Sequence, residues 1–372
     1  MLREFGVEGV KVQEIVSLDE ELLTCLPRPI YGLVFLFKWR EEDPDKLEQS
    51  CPEEVWFANQ TVSNACASVA MLNIVNNIPT IELGEHLQQF KEFTKELSPA
   101  LRGDAISNFT FVKEVHNSFA RKMDMLNADL HMKTEVTARK QSKRPKSGND
   151  DEDTGFHFIA YVPIDDNVWK LDGLKRQPQK LGTAKSADWV RKAKPDIEAC
   201  MSEYEEGHIE FAILSLVRDP LLDLLPALAI NVRGIQALAA HLRGITAEKD
   251  EGRSTEHQEW PPDDGTLIGP DLTIGLTQDA IEQAQAPPSI ESALGSHVIS
   301  TILLCQQELC VAQTKLRSLI RDECEAKHSD EEKANARRHD YGPLALKLAQ
   351  ILARKPIVGY EKSGSRSKKQ KK

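Results

Sequence analysis

The sequence lacks several features that would each assign it to a class of protein. Its strongly apolar runs, such as residues 32–37, fall far short of the roughly 20 residues that a membrane span needs. The first ten residues carry charge from the third position and contain no apolar signal core, so secretion is not expected. No internal repeat occurs. We therefore expect a cytoplasmic and nuclear protein with no membrane partner.

The cysteines lack the pairing that a disulfide framework or a zinc site requires. Their number is odd and no C-x-x-C motif occurs, so we expect reduced thiols. A single cysteine in such a chain usually fills the core, but it can act as a nucleophile where a histidine and an acid support it. The seven cysteines stand at positions 25, 51, 66, 200, 305, 310 and 324.

The composition predicts a folded, acidic chain of more than one unit. Its 372 residues correspond to about two or three domains, and 40% apolar content is enough for a core. Lys and Arg total 47 against 58 Asp and Glu, which gives a net charge of −11. Such a chain is a poor general binder of nucleic acid and suits a basic protein partner.

Residues 1–222 have the pattern of one compact domain in which strands and helices alternate. Apolar residues recur at helical spacing in three segments, and β-type apolar runs occupy four others. The predicted helices cover 66–77, 83–97 and 109–122, and the predicted strands cover 31–38, 156–162, 167–171 and 209–217.

A segment without periodicity, residues 123–155, interrupts this domain. Five basic residues fall between Arg139 and Lys146, and the four residues from Asp150 to Asp153 are all acidic. A loop of roughly 30 residues is uncommon inside a compact domain, and it is either a tolerated surface insertion or a functional cover.

The remaining chain divides by composition into three parts. Residues 223–289 combine a helical segment with a Pro-rich linker, and Pro226 and Gly234 predict either one kinked helix or two short ones. Residues 290–356 are predicted to be helical, and residues 357–372 form a basic, disordered tail. That tail is either simply solvated, or it acts as a nuclear import signal or makes weak contact with nucleic acid. The positions predicted to be buried in the first helix of the second part are Ile299, Leu303, Leu309, Leu316 and Ile320.

Cys66 is the strongest candidate nucleophile. It stands where a polar segment gives way to an apolar helix, and the N–H groups and dipole of a helix N-terminus favour a thiolate. The neighbours Ala65, Ala67 and Ser68 are small, which leaves the sulfur open to a substrate. Gln60, six residues upstream, can donate its amide hydrogen to a developing oxyanion, with the Cys66 N–H as the second donor.

His157 and Asp172 are candidates for the supporting base and acid. His157 lies in one apolar run and Asp172 at the end of the next, so a hairpin of the two runs would bring them side by side. Taken singly, a histidine between two phenylalanines is usually structural, and an Asp-Gly pair is usually a turn. Together with Cys66 they predict acyl transfer through a thioester.

These residues resemble the ubiquitin C-terminal hydrolases, a family of papain-like cysteine proteases. The resemblance rests on Gln60-x5-Cys66, FHF at 156–158 and LDGL at 171–174, with supporting segments at 5–15, 31–39 and 116–121. It implies an α+β fold with a central antiparallel sheet flanked by helices, plus a helical C-terminal extension. It also implies that no cofactor or metal is needed and that residues 123–155 are the family's crossover loop over the active site.

The same resemblance implies a role for each site residue and a substrate. Cys66 would be the nucleophile, His157 the general base and acid, Asp172 the orienting acid, and Gln60 the oxyanion donor. The substrate would be ubiquitin or a ubiquitinated protein, cut after the terminal glycine of ubiquitin.

The C-terminal segment RRHDYGPLALKLAQIL, at 337–352, resembles the tail domain of the family's long members. This implies that residues 290–356 bind a helical adaptor, such as a proteasomal ubiquitin receptor, that recruits and activates the enzyme. Three alternatives stay open: a chromatin-associated histone deubiquitinase, a catalytically vestigial adaptor subunit, and an enzyme for a ubiquitin-like modifier.

Overall fold

The computed structural model describes residues 1–38, 50–62, 64–119, 156–185, 188–205, 211–249, 265–339 and 342–354. The predicted crossover loop at 123–155 and the basic tail at 357–372 lie outside these residues. The described chain forms two units. One comprises residues 1–117 and 156–331, and the other comprises Ser118, Phe119 and the residues from Glu332 onward. The domain boundaries drawn from composition stay a prediction.

A six-stranded antiparallel sheet forms the centre of the first unit. Its strand order is β1-β6-β2-β3-β4-β5, so the last strand along the chain is inserted between the first two. This confirms the predicted α+β class. The strands are β1 Val10–Ile15, β2 Ile30–Lys38, β3 Phe156–Ile164, β4 Asn167–Leu171, β5 Gln179–Thr183 and β6 Ala212–Arg218.

Helices cover both faces of this sheet. Along β2, Val34 points to the face that packs on α2, while Leu33 and Phe35 point to the face that packs on α6. The helices are α1 Glu20–Thr24, α2 Cys66–Val75, α3 Gly84–Thr94, α4 Pro99–Asn108, α5 Thr110–Ser118, α6 Trp189–Glu205, α7 Leu221–Lys249, α8 Gln278–Gln283, α9 Glu291–Leu294, α10 Ile299–Arg338 and α11 Gly342–Arg354. Because both faces are covered, the central strands read as continuous apolar runs, which made them easy to predict.

Helix α7 runs through both Pro226 and Gly234 as one helix, which is one of the two alternatives that the sequence left open. Pro226 lies in its second turn and lacks the N–H that would bond one turn back, and Gly234 lets the ring of Pro287 pack closely. The described part of the predicted linker, residues 265–289, packs on this helix through Leu276 and Ile281. The prolines of that segment therefore lie in turns that pack on the protein, because the apolar residues Leu276 and Ile281 between them are buried.

Helix α7 is also apolar enough to be compared with a membrane span. Within the described residues, Leu221–Ile245 has the length and composition of a spanning helix, and 39% of that window is buried inside the protein. The core helix of a protein with no membrane contact meets the same criteria. No run in the sequence indicated this, because scattered charged residues such as Asp223 and Arg233 divide the apolar stretch.

Helix α10 buries most of the predicted face, since Leu309 and Leu316 pack against the apolar clusters around it. Ile320 is buried as expected, but Ile299 and Leu303 are 36% and 42% exposed, so those two positions were predicted wrongly. The buried face includes Gln313, whose Nε2 donates to the Asn231 Oδ1 at 3.1 Å and to the Leu267 carbonyl at 2.9 Å. This polar network sets the rotation of the helix, and a purely apolar reading of the sequence overlooks it.

The second unit contains the end of α10 and helix α11. Arg337 donates from Nε to the Phe119 carbonyl at 3.1 Å, and the Arg338 guanidinium lies 4.2 Å from the centre of the Phe119 ring. Helix α11 begins one residue before Pro343, close to the predicted start. Among its described side chains, the exposed apolar ones are Leu344, Leu346, Leu348 and Ile351.

Candidate active site

Cys66 is the first residue of α2. Asn64 has a left-handed backbone with φ of 64°, and Ala65 at the N-cap offers no side-chain acceptor to the helix. The N–H groups of the first turn are therefore not claimed by a capping side chain. This is a backbone arrangement that can donate to an anion beside the Cys66 sulfur.

Two asparagines near the end of α2 hold the segment that precedes Cys66. Asn73 accepts from the Ala58 N–H at 2.8 Å and donates to the Ala58 carbonyl at 3.2 Å. Asn77 does the same with Trp56, at 2.8 and 2.7 Å. Each side-chain amide binds both the N–H and the carbonyl of one backbone residue, as a neighbouring β-strand would. These contacts fix the position of residues 56–58 alongside α2. Sequence reasoning missed both residues, and their i, i+4 spacing near the end of an apolar helix was the available signal.

His157 and Asp172 meet at one end of a hairpin. Strands β3 and β4 pair antiparallel with Ala160 opposite Leu171, and Asp172 follows directly after β4. The His157 Nε2 lies 2.6 Å from the Asp172 Oδ1, and the two side chains are only 4% and 5% exposed. The Leu174 N–H donates to the same oxygen at 2.9 Å. This second hydrogen bond orients the carboxylate toward the imidazole.

The surroundings of His157 favour its charged form. Burial alone lowers the pKa of His157, but the hydrogen bond to Asp172 and the nearby Cys66 raise it to about 9. The imidazole is therefore protonated at neutral pH and lies between an acid and a thiol. Because Asp172 occupies Nε2, the ring nitrogen left for Cys66 is Nδ1.

Gln60 joins the nucleophile's segment to the loop that carries Asp172. Its backbone N–H donates to the Gly173 carbonyl at 2.7 Å, and its Nε2 donates to the Val62 carbonyl at 3.1 Å. Its Oε1 is buried and, among the described residues, meets no donor. A Cβ on Gly173 would approach Val69 to 3.1 Å and Gln60 to 3.2 Å, so the glycine lets the two loops lie this close.

The described residues contain no cluster of side chains that could bind a metal ion. Nowhere in the described ranges do three or more His, Cys, Asp or Glu side chains gather in a way that could hold a metal ion. What the site does contain is a thiol at a helix N-terminus, an imidazole close to it, and a buried carboxylate on the imidazole. This set of groups can form a covalent acyl intermediate and then transfer the acyl group to water.

The fold and this site define the class of the protein as a cysteine hydrolase with an α+β fold. The model of the ubiquitin carboxyl-terminal hydrolase family, family 1, matches residues 1–202. This match covers more than half of the 372 residues. The chain therefore belongs to that family.

Curated relatives and a solved structure are similar to this chain. The ubiquitin carboxyl-terminal hydrolase ubh-4 of Caenorhabditis elegans is 39% identical over 220 residues, which are 58% of this chain and 62% of that protein. Isozyme L5 of Dictyostelium discoideum is 34% identical over 219 residues, 59% of this chain and 58% of that protein. The matches thus span about three fifths of each relative. A crystal structure of the Trichinella spiralis UCH37 catalytic domain bound to ubiquitin vinyl methyl ester is 33% identical, with a TM-score of 0.45, and covers 59% of this chain and 89% of that one.

Proposed function

We propose that this protein is a deubiquitinating cysteine protease that hydrolyses the bond after the C-terminal glycine of ubiquitin. The observation that carries the proposal is the imidazole of His157, which is hydrogen-bonded to Asp172 and electrostatically coupled to Cys66. The family membership supports ubiquitin as the substrate. The net charge of −11 suits a partner with a basic face.

The proposed reaction begins with the thiolate of Cys66 attacking the glycine carbonyl carbon. The tetrahedral oxyanion accepts hydrogen bonds from the Cys66 N–H and from the Gln60 amide. His157, already protonated, gives its proton to the leaving amine as the carbon–nitrogen bond breaks, and a thioester remains. Neutral His157 then takes a proton from water, which attacks the thioester and releases the carboxylate and the thiol.

Labelling with a C-terminally electrophilic ubiquitin tests the proposal. The wild-type protein should form one covalent adduct and hydrolyse a ubiquitin C-terminal reporter, while Cys66→Ala should do neither and still bind ubiquitin. Cys25→Ala, which removes an exposed cysteine, is the matched control and should react normally. Full activity of Cys66→Ala would contradict the mechanism, and an unlabelled wild type would favour a vestigial adaptor. Parallel probes of ubiquitin-like modifiers would reveal a different substrate.

We further propose that residues 290–356 recruit the enzyme to the proteasome through a helical adaptor. Support comes from the exposed residues Leu344, Leu348 and Ile351, which repeat at helical spacing on α11. A Leu348→Asp variant of the full chain should lose binding to the helical domain of a proteasomal ubiquitin receptor, whereas Gln350→Asp, with the same added charge, should retain it. Preferential binding to an adaptor domain from a chromatin complex would instead favour the histone deubiquitinase. A cytoplasmic and nuclear location stays a prediction for imaging of the tagged chain.

A further inference from the structure

We propose that His116 is a positioning residue for the active site. It binds the hydroxyl of Ser68 and so keeps that hydroxyl from occupying the backbone N–H groups of the first turn of α2, around Cys66. The proposal rests on the proposed thiol-hydrolase function. It concerns a histidine that takes no part in the reaction steps above. Its basis is a contact between α5 and the helix that carries the nucleophile.

Ser68 lies two residues after Cys66 and is 2% exposed. Its Oγ is 2.8 Å from the Nδ1 of His116, a half-buried residue of α5. The contact joins the nucleophile's helix to a residue 48 positions further along the chain, on a helix that supplies none of the catalytic groups. This contact therefore fixes the rotamer of a side chain within one turn of the reactive sulfur.

The direction of this hydrogen bond depends on which ring nitrogen of His116 carries the proton. Burial lowers the pKa of His116, which favours the neutral ring. A neutral ring can accept at Nδ1 and carry its proton on Nε2. We assign this tautomer, in which Ser68 is the donor and its hydroxyl hydrogen is committed to His116.

A serine hydroxyl in the first turn of a helix has other partners if it is released. It can donate to the carbonyl one turn earlier, which bends the helix, or accept a backbone N–H of the first turn. Either partner would change the N–H groups that are left open because Ala65 cannot cap the helix. The contact with His116 prevents both, so the Cys66 N–H stays available for the oxyanion and the sulfur keeps its direction toward His157.

This account makes a prediction that a simple loss of packing does not make. His116→Phe keeps a ring of similar volume but releases Ser68, so kcat on the ubiquitin reporter should fall about tenfold with KM within about twofold. Ser68→Ala should leave kcat near wild type, because no hydroxyl remains to compete. The double variant should recover the kcat that His116→Phe alone loses. His116→Asn should also retain most of the kcat, since its Oδ1 can accept in place of Nδ1.

Controls separate this role from stability. Thr94→Val removes another buried hydroxyl of the same unit, outside α2, and should lower the melting temperature without changing kcat. The rate at which iodoacetamide alkylates Cys66, resolved by mass spectrometry, should fall in His116→Phe and recover in the double variant. A double variant as impaired as His116→Phe, or alkylation unchanged by His116→Phe, would overturn the proposal. A wild type that alkylates normally but hydrolyses no reporter would overturn only the proposed function.

Discussion

Replacing Asp172 with asparagine isolates the charge of the carboxylate from its geometry. In the Asp172→Asn variant the amide oxygen can still accept from the Leu174 N–H and from the His157 Nε2–H, so the ring keeps its orientation. What disappears is a negative charge 2.6 Å from the imidazole, in a place with almost no solvent. The variant therefore measures how much the charge alone contributes to catalysis.

The size of the effect follows from the pKa of His157. A value of about 9, against an ordinary 6.5, corresponds to about 3 kcal/mol of extra stabilisation of the imidazolium. Burial opposes that stabilisation, so loss of the carboxylate should lower the pKa of His157 and leave less of the ring protonated at pH 7.5. We expect kcat/KM to fall roughly 10²-fold, because the proton for the leaving amine is then less often in place.

Two measurements test this reasoning. NMR titration of the His157 ring should show its pKa falling well below 9 in Asp172→Asn, and reporter hydrolysis should show the loss of kcat/KM. Stability should change in the same direction. A pKa raised on folding contributes stability that is complete below pH 6.5 and is lost as the pH rises through about 9, so the free energy of unfolding should decline over that range in the wild type only. A variant with wild-type kcat/KM, or with an unchanged titration, would refute the argument.

Four further substitutions have defined outcomes. Gln60→Ala should lower kcat by roughly 10² to 10³ with KM unchanged in reporter assays, and an unchanged kcat would remove Gln60 from the oxyanion site. Gly103→Ala adds a Cβ that overlaps the Asn59 carbonyl, so the loop must shift and kcat should fall roughly 10²-fold, unless a crystal structure shows that loop unmoved. Gln313→Leu should cost about 2–4 kcal/mol in urea unfolding, whereas Gln306→Leu, which removes an Nε2 that has no partner among the described residues, should be neutral or stabilising.

The strands that were predicted correctly are those whose own residues are mostly apolar, so that the local sequence indicates their burial. β2 and β3 lie at the centre of the sheet and are rich in apolar residues throughout. β1 and β5 are edge strands, and the sequence QKLGT of β5 has too few apolar or β-branched residues for a local prediction. Their strand conformation comes from the neighbours with which they pair.

The site was predictable in residue type and only partly in arrangement. A cysteine at a polar-to-apolar boundary and a histidine in a strand are visible locally, and the hairpin of β3 and β4 brings Asp172 to His157. The roles of Asn73 and Asn77 were missed, because their i, i+4 spacing places them on one helix face but does not show which distant backbone their amides meet. The same reason hid the network around Gln313 that determines which face of α10 is buried.

The strand order has a consequence for a chain that is still being made on a ribosome. Cys66 is synthesised long before His157. Strand β6, which lies between β1 and β2 in the sheet, is synthesised after all the other strands. A nascent chain therefore cannot close its central sheet until residue 218 has left the exit tunnel. Any protease activity of such a chain would report that β6 has been inserted between β1 and β2.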